Sequence, residues 1–364
     1  MIYYTPLNIK KSSKQYYTGN DNNTIQERIR KMRTNLIICI IIALSMILCP
    51  IAALGGEKSG ENREKPTEIS TQADGTAESA DKPEKYISVL SQSSGSISKV
   101  KMREYVIGSV AAEMSPLYHT EALKAQAVAS YTYAKKTKEQ NEKHKDSSLG
   151  DADITDSPAI HQGYLSKSDR KKKWGDNYEE YEKKIEAAVD EVFGCYVTYE
   201  GETALTVYHS ISAGATQSAK TLWGTDIPYL ISVESPGDKL SPDYRSETVF
   251  SESEFKNLIE KCSVTLTGNA EKWVGEAKKD ETGYVSSQML GSTSVSGVTI
   301  RDALGLRSLC FDIKYSGSKF TVVCLGYGHG IGMSQYGADY MARQGSSWQE
   351  ILMHYYSGAD IVNE

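Results

Sequence analysis

The stretch YVIGSVAAEM at residues 105–114, followed by EALKAQAVASYTYAKKTK at residues 121–138, decides the fold of this chain. In the first stretch, apolar residues recur at the spacing of one helical face, and the Ser-Pro pair at 115–116 ends the predicted helix. The second stretch has Thr120 as its predicted N-cap, an acidic residue in its first turn and lysines at its far end, as the helix dipole favours. The two stretches therefore predict a helical hairpin.

Glu113 lies at the end of the first predicted helix, among apolar neighbours. The negative pole of the helix dipole and the apolar surroundings both disfavour its charged form. Its pKa is therefore expected to rise toward the value that a general acid needs near neutral pH. The alternative is a solvated surface residue, since an isolated glutamate is rarely buried. On the second helix, Gln126, Ser130 and Tyr133 share a face separate from the apolar stripe.

The N-terminal region has the features of a membrane anchor. Residues 36–54 are apolar apart from Ser45, are long enough to cross a bilayer and follow a basic flank. The predicted order is a cytoplasmic tail at 1–35, one transmembrane helix at 36–54 and an extracytoplasmic remainder, with a cleaved signal peptide as the alternative. Because the chain after residue 55 is poor in large apolar side chains, a flexible linker is predicted at 55–98, ahead of a folded domain at 99–364.

The charge balance argues against a nucleic-acid partner. The 364 residues carry a net charge of -6, whereas proteins that bind phosphate backbones usually present a basic stripe. One short basic run, Arg170 to Lys173, stands beside many acidic residues and is interpreted as the solvated face of a helix.

The cysteines after the membrane segment are widely spaced and have no metal-ligand spacing, so no metal site is predicted. Cys310 and Cys324 flank a predicted antiparallel hairpin. A disulfide and buried free thiols both fit this arrangement.

Several short runs have strand character and lack regular helical crossovers, which predicts an α+β fold. We expect a mixed α/β catalytic domain with a substrate cleft and a smaller inserted lobe at Asn257 to Leu309, preceded by the transmembrane helix. The predicted strands are Cys195 to Tyr199, Leu205 to His209, Leu230 to Glu234, Cys262 to Gly268, Val295 to Ile300, Phe311 to Tyr315 and Phe320 to Cys324.

Four blocks in this order resemble the stage II sporulation protein D family. Their combination is more specific than any one of them. The blocks are YVIGSVAAEM with EALKAQAVA (105–114 and 121–129), HSISAG with WG and PYL (209–214, 223–224 and 228–230), GYGHGIGMSQYGA (326–338) and ILMHYYSG (351–358).

The resemblance implies a peptidoglycan lytic transglycosylase that acts in spore engulfment, with Glu113 as the catalytic acid. It also implies glycan strands denuded of stem peptides as substrate, sporulation proteins M and P as partners, and a place in the mother-cell engulfing membrane facing the forespore. Some members carry a His/Cys zinc site after the second helix. Here residues 135–174 contain His144 and His161 but no cysteine, so no zinc and no other cofactor are predicted.

The predicted substrate-binding residues come from the second helix and from two of the later blocks. The second helix supplies Lys124, Gln126 and Tyr133; a strand end supplies His209, Ser210 and Ser212; and the glycine-rich turn supplies His329 and Gln335. For the last two residues, a role confined to holding or capping the loop is an equal alternative.

A single convincing carboxylate favours a transglycosylase, because hydrolysis usually needs two. Asp226 and Glu234 are possible second carboxylates. The chain departs from the family pattern at Tyr131, where an arginine is common, and at Ile211, Ala213 and Cys324. These departures favour the alternative function, a non-catalytic glycan-binding module that enhances an amidase.

Overall fold

The computed structural model describes residues 84–364. The predicted tail, the predicted membrane segment at 36–54 and most of the predicted linker lie outside these residues. Within 84–364, no helix combines the length and the apolar character needed to cross a bilayer. The folded chain begins earlier than predicted, because residues 86–90 and 97–101 pair as an antiparallel hairpin.

The fold is α+β, as predicted. Its helices, within the described part of the chain, are α1 (Met102–Glu113), α2 (Thr120–Lys143), α3 (Lys167–Trp174), α4 (Tyr178–Val192), α5 (Ala219–Trp223), α6 (Glu252–Glu260), α7 (Gly297–Leu304), α8 (Gln335–Arg343) and α9 (Trp348–Tyr355).

The strands build several small sheets instead of one large one. They are β1 (Tyr86–Leu90), β2 (Ile97–Lys101), β3 (Ile154–Thr155), β4 (Cys195–Tyr199), β5 (Glu202–Thr203), β6 (Tyr208–His209), β7 (Arg245–Ser251), β8 (Val274–Lys279), β9 (Val285–Leu290), β10 (Thr293–Ser296), β11 (Cys310–Ser316), β12 (Lys319–Leu325), β13 (Met333–Ser334) and β14 (Asp360–Asn363). The strand orders are β2-β1-β3, β14-β4-β5, β13-β6, β11-β12-β7 and β10-β9-β8. The β1–β3 and β13–β6 pairs are parallel, and the others are antiparallel.

The predicted helical hairpin is confirmed and forms the centre of the main core. Helix α2 packs against α1, α4, α8 and α9. It runs five residues beyond the predicted end, and its N-cap is His119 instead of Thr120, because His119 Nδ1 accepts a hydrogen bond from the Glu121 amide at 3.3 Å. Helix α1 stops where predicted, since Met114 turns into extended backbone.

A second hydrophobic core lies within residues 250–324, wider than the lobe predicted at 257–309. Helices α6 and α7 and the β11–β12 hairpin supply this core, in which Phe320 stacks on Phe255 at 4.0 Å and on Trp273 at 5.8 Å between ring centroids. The predicted hairpin between Cys310 and Cys324 is confirmed, and both thiols are free.

Four strand predictions were wrong or too long. Residues 262–268 and 230–234 lie outside the strands, and only the last two residues of 205–209 form β6. Of the run 295–300, the first two residues end β10 and the other four begin α7, because the Ser296 hydroxyl accepts a hydrogen bond from the Thr299 amide at 3.1 Å and caps the helix there.

Candidate active site

Glu113 is the last residue of α1, and its carboxylate is held from a distant loop. Its Oε1 accepts a hydrogen bond from the Gly163 amide at 2.6 Å, and the side chain is half-buried. Burial raises the pKa of Glu113, the direction predicted from the sequence, while the Gly163 amide, the Gln335 side chain and the charge of Lys173 partly oppose that shift. The Glu113 carboxyl therefore holds a proton more readily than an exposed glutamate does.

Residues 162–165, which we call the strap, lie directly on α1. The Leu165 amide donates to the Gly108 carbonyl at 3.1 Å. A Cβ on Gly108 would stand 2.4 Å from the Tyr164 ring, so only glycine allows this contact. Sequence reasoning missed the strap, although a glycine in the interior of a predicted helix is a signal for a close neighbour.

A buried polar network lies behind Glu113. Gln162 donates to the Tyr105 hydroxyl at 3.0 Å and to the Ser130 carbonyl at 3.1 Å, and it accepts from the Tyr208 hydroxyl at 2.6 Å. Burial, with a smaller contribution from the charge of Glu113, raises the pKa of Tyr105, Tyr208 and Tyr133, the last to about 12. These tyrosines therefore remain neutral hydrogen-bonding groups around the carboxylate.

Two predicted binding residues join this network. Gln126 donates to the Ser130 hydroxyl at 3.0 Å, and Gln335 donates to the Gln126 amide oxygen at 3.4 Å. Both glutamines are buried. The structure thus brings Gln126, Tyr133 and Gln335 together with Glu113.

The basic run at 170–173 is not a uniformly solvated face, so that interpretation was wrong at its first residue. Arg170 is fully buried in α3. Its guanidinium bonds to Glu182 of α4 at 2.7 and 2.8 Å, to Glu104 of α1 at 2.6 Å and to the Leu165 carbonyl at 2.8 Å. Arg170 thus ties the strap to both helices, and its partner on α1, Glu104, is 66 residues away in the sequence.

His209 and His329 form a separate pair whose ring centroids are 5.6 Å apart. His329 Nδ1 accepts from the Ile331 amide at 3.1 Å, and its Nε2 donates to the Tyr208 carbonyl at 3.0 Å. His209 Nδ1 donates to the Ile331 carbonyl at 3.0 Å, while its buried Nε2 has no partner among the described residues. Burial lowers the pKa of His209 to about 3 and that of His329 to about 4, so both are neutral.

The serines predicted beside His209 contact the backbone and a buried carboxylate. Ser212 bonds to Asp238 through its hydroxyl and, at 3.0 Å, through its amide; Ser334 donates to the same carboxylate at 2.8 Å. The Ser210 carbonyl accepts from the Tyr336 amide at 3.0 Å. Asp238 is fully buried, and sequence reasoning missed it because nothing in its polar surroundings signals burial.

Lys124 and Tyr131 lie apart from Glu113. Lys124 forms ion pairs with Glu121 at 2.8 Å and with Glu191. Tyr131 donates to Glu364 and packs edge-on against Phe193. Tyr131 therefore faces the C-terminal residue of the chain instead of the Glu113 carboxylate.

The two proposed second carboxylates also lie elsewhere. Asp226 is exposed and pairs with Lys220 at 2.8 Å, and the Glu234 carbonyl accepts from His354 at 2.8 Å. In residues 84–364, neither carboxylate shares a hydrogen bond with Glu113. No cluster of three or more potential metal ligands occurs in the same residues.

Comparisons with known proteins give one matching family and several similar proteins. Residues 91–199 match the family described as Stage II sporulation protein. The chain is 36% identical over 330 residues to Stage II sporulation protein D of Bacillus amyloliquefaciens, covering 89% of this chain and 93% of that protein. It is 35% identical over 328 residues, with the same coverage, to the protein of that name from Bacillus subtilis (strain 168). The Amidase enhancer of Bacillus subtilis (strain 168) is 26% identical over 310 residues, which cover 70% of this chain and 40% of that protein.

Proposed function

This chain belongs to the stage II sporulation protein D family, and from that premise we propose that it is a sporulation enzyme that cleaves peptidoglycan glycan strands as a lytic transglycosylase. The observation that carries the proposal is Glu113: a half-buried carboxylate with a raised pKa, held by the strap at the end of a helix. A general acid needs this combination of accessibility and proton affinity.

The reaction needs one group that first gives and then takes a proton. Glu113 donates its proton to the glycosidic oxygen as the bond from C1 of the muramic acid residue to that oxygen breaks. The 6-hydroxyl of the same sugar then bonds to C1 while the Glu113 carboxylate removes the hydroxyl proton. The product is a 1,6-anhydro end, no water is consumed and Glu113 regains its proton.

The surroundings of Glu113 support this route over hydrolysis. Hydrolysis usually requires a second carboxylate to activate water or to attack the sugar. Asp226 pairs with Lys220, and Asp238 is bonded to Ser212 and Ser334. Glu234 is exposed, and its carboxylate forms no hydrogen bond with Glu113 within residues 84–364. The substrate hydroxyl supplies the nucleophile that the described residues do not.

The test is mass spectrometry of glycan digested with purified full-length protein, wild type beside Glu113→Gln. Wild type should release 1,6-anhydro ends, and the variant should lose about 10²- to 10⁴-fold in rate while it still binds glycan, since general acid-base catalysis contributes that much. The exposed Glu276→Gln should be as active as wild type. Reducing ends in place of anhydro ends would show that water attacks.

A second candidate function is a non-catalytic glycan-binding module that stimulates an amidase. The similarity to the Amidase enhancer of Bacillus subtilis favours it. In that case, the wild-type protein would bind glycan, release no fragments and accelerate a separately added amidase, and Glu113→Gln would do the same. Release of anhydro ends by the wild-type protein without added amidase excludes this candidate.

We place the protein in the mother-cell engulfing membrane with its folded domain outside, anchored by residues 36–54. We also propose sporulation proteins M and P as partners. A reporter fused after Lys85 should be exported and remain in the membrane fraction. Crosslinking in sporulating cells should recover both partners, and a freely secreted fusion would rule out the anchor.

A further inference from the structure

Buried polar atoms without a hydrogen-bond partner are concentrated around the glycine-rich turn. In residues 84–364, four such side-chain atoms occur, and three of them are His209 Nε2, Gln217 Oε1 and Arg301 Nε. The His209 ring lies 5.6 Å from that of His329, and the charge of Arg301 helps to lower the pKa of His329. The Gln217 amide donates to the Gly330 carbonyl at 2.7 Å. Because leaving a buried polar atom unbonded is costly, these three atoms favour a partner with matching groups.

The three atoms differ in the kind of hydrogen bond that they can form. His209 Nδ1 donates to the Ile331 carbonyl at 3.0 Å, so Nε2 of the neutral ring can only accept. The Gln217 amide nitrogen donates to Asp280 at 3.0 Å, which leaves its oxygen to accept. Arg301 Nε can only donate. An acetamido group matches both kinds, since its N–H donates and its carbonyl oxygen accepts.

An open aromatic surface lies beside these atoms. Trp223, at the end of α5, is 41% exposed, and its ring centroid is 6.3 Å from that of the partly exposed His329. Tyr327 on the same turn is also exposed, and the Arg307 guanidinium covers its ring at 5.2 Å. An exposed indole offers an apolar face to the C–H groups of a sugar ring and an N–H to its oxygens.

The aromatic surface is connected to the Glu113 network through one residue, Tyr208. The Tyr208 carbonyl accepts from His329 at 3.0 Å, and its hydroxyl donates to Gln162 at 2.6 Å. The residue after Gln162 is Gly163, whose amide holds the Glu113 carboxylate. The length of the Tyr208 side chain thus separates the two places, so a different sugar of the same strand would reach each of them.

We propose that Trp223 and the glycine-rich turn form a subsite for an N-acetylated sugar remote from the bond that Glu113 cleaves. The inference rests on the proposed function. Trp223 stacks on the sugar ring, while Arg301 donates to the acetamido carbonyl and His209 or Gln217 accepts from its N–H. Because this sugar does not react, its binding energy holds the strand equally before and during proton transfer. Such uniform binding lowers KM and leaves kcat unchanged.

The first measurement compares the cleavage kinetics of long glycan strands with purified full-length wild type and Trp223→Ala. KM should rise about fivefold to tenfold with kcat unchanged, as expected for the loss of one aromatic contact. Trp223→Phe, which keeps a ring, should recover most of the affinity. A fall in kcat without a change in KM would show that Trp223 only supports the surroundings of Glu113, and it would overturn the inference.

Phe193→Ala is the matched control, because Phe193 is exposed to 39% and packs against Tyr131, apart from Glu113. It should keep the wild-type KM. An equal rise of KM in Phe193→Ala and Trp223→Ala, or no rise in Trp223→Ala, would also overturn the inference.

The second measurement tests recognition of the acetamido group. Its probes are β-1,4-linked oligomers of N-acetylglucosamine and of glucose, equal in length, which differ only in that group. Full-length Glu113→Gln protein should bind the acetylated oligomer about tenfold more tightly, and adding Arg301→Met should remove most of this difference. Adding Arg245→Met instead removes the same charge from an exposed arginine of β7 and should preserve the difference. Equal binding of the two oligomers, or no effect of Arg301→Met, would rule out acetamido recognition by the turn.

Binding also separates this inference from the proposed function, because it does not depend on cleavage. If wild type cleaves no glycan while Trp223→Ala and Arg301→Met weaken binding, the catalytic proposal fails and the subsite stands. If wild type releases anhydro ends but neither variant changes KM or binding, the subsite fails and the catalytic proposal stands.

Discussion

Glu113 and the His209–His329 pair are both polar groups in the sequence blocks that resemble the family, yet their surroundings differ. The Glu113 carboxylate is half-buried, accepts one backbone hydrogen bond and has a raised pKa. Both histidines bond to the backbone, and their pKa values are lowered to about 3 and about 4. Burial thus favours the neutral form in both places, with opposite chemical consequences.

A neutral carboxyl can donate a proton, whereas a histidine held neutral by burial does not act as an acid near pH 7. The ring nitrogens of His329 are fully committed to the Tyr208 carbonyl and the Ile331 amide, which attaches the glycine-rich turn to β6. The comparison supports the proposed proton transfer by Glu113, and the hydrogen bonds of His329 fit the loop-holding alternative drawn from the sequence.

The largest expected effect concerns Arg170, which bonds to the strap that holds Glu113. Arg170→Met should destabilise the protein by about 3 to 5 kcal/mol in urea unfolding, because it leaves the nearly buried Glu182 carboxylate without its partner. The double variant Arg170→Met with Glu182→Leu should recover much of that loss, since a buried ion pair can often be replaced by apolar side chains. A double variant no more stable than Arg170→Met would show that the ion pair is not the cause.

The location of Arg170 illustrates what sequence reasoning could and could not supply. The α1–α2 hairpin and the position of Glu113 were predictable, because a helix is encoded by local periodicity and by a Ser-Pro stop. The β11–β12 hairpin was predictable for the same reason, since its strands are neighbours in the sequence. Arg170 is paired with Glu104, 66 residues away, and a charge run contains no signal of such a partner.

The difference between local patterns and long-range contacts also explains which residues of the site could be predicted. Helical periodicity grouped Gln126 and Tyr133 on one face of the second helix, and the structure brings both to Glu113. Lys124 on the same helix pairs with Glu191 instead. The strap and Asp238 come from segments that lack the periodicity of a helix or a strand. Their position depends on tertiary contacts, which a single sequence does not reveal.

The second prediction concerns His209 and the dependence of protein stability on pH. Because the folded-state pKa of His209 is about 3, below its ordinary value, the unfolded chain takes up a proton at higher pH than the folded chain. The stability that this histidine contributes is therefore lost as pH falls below about 6.5. Between pH 7 and pH 5, the free energy of unfolding should drop by about 2 kcal/mol more in wild type than in His209→Asn.

The exposed His144→Asn serves as the control and should keep the wild-type dependence on pH. Urea unfolding at both pH values measures the difference directly, so the contributions of carboxyls such as Glu113 and Asp238 cancel between wild type and variant. An identical pH dependence in His209→Asn and wild type would show that His209 titrates normally and would remove the contrast with Glu113.

The smallest expected effect tests the strap itself. A Cβ on Gly163 would stand 2.9 Å from Glu113 Oε1 and 3.1 Å from the Ala112 Cβ, so Gly163→Ala must displace the carboxylate by a few tenths of an ångström. Because catalysis depends steeply on the position of the reacting groups, kcat should fall about tenfold with little change in stability.

Gly275→Ala is the matched control: its Cβ meets the Met289 Cβ at 3.0 Å, a similar contact on β8, away from Glu113. If both variants keep wild-type kcat, the hydrogen bond from the strap does not set the catalytic position of Glu113. If both lose activity equally, the loss reflects crowding in general, and only a loss confined to Gly163→Ala assigns the strap its role.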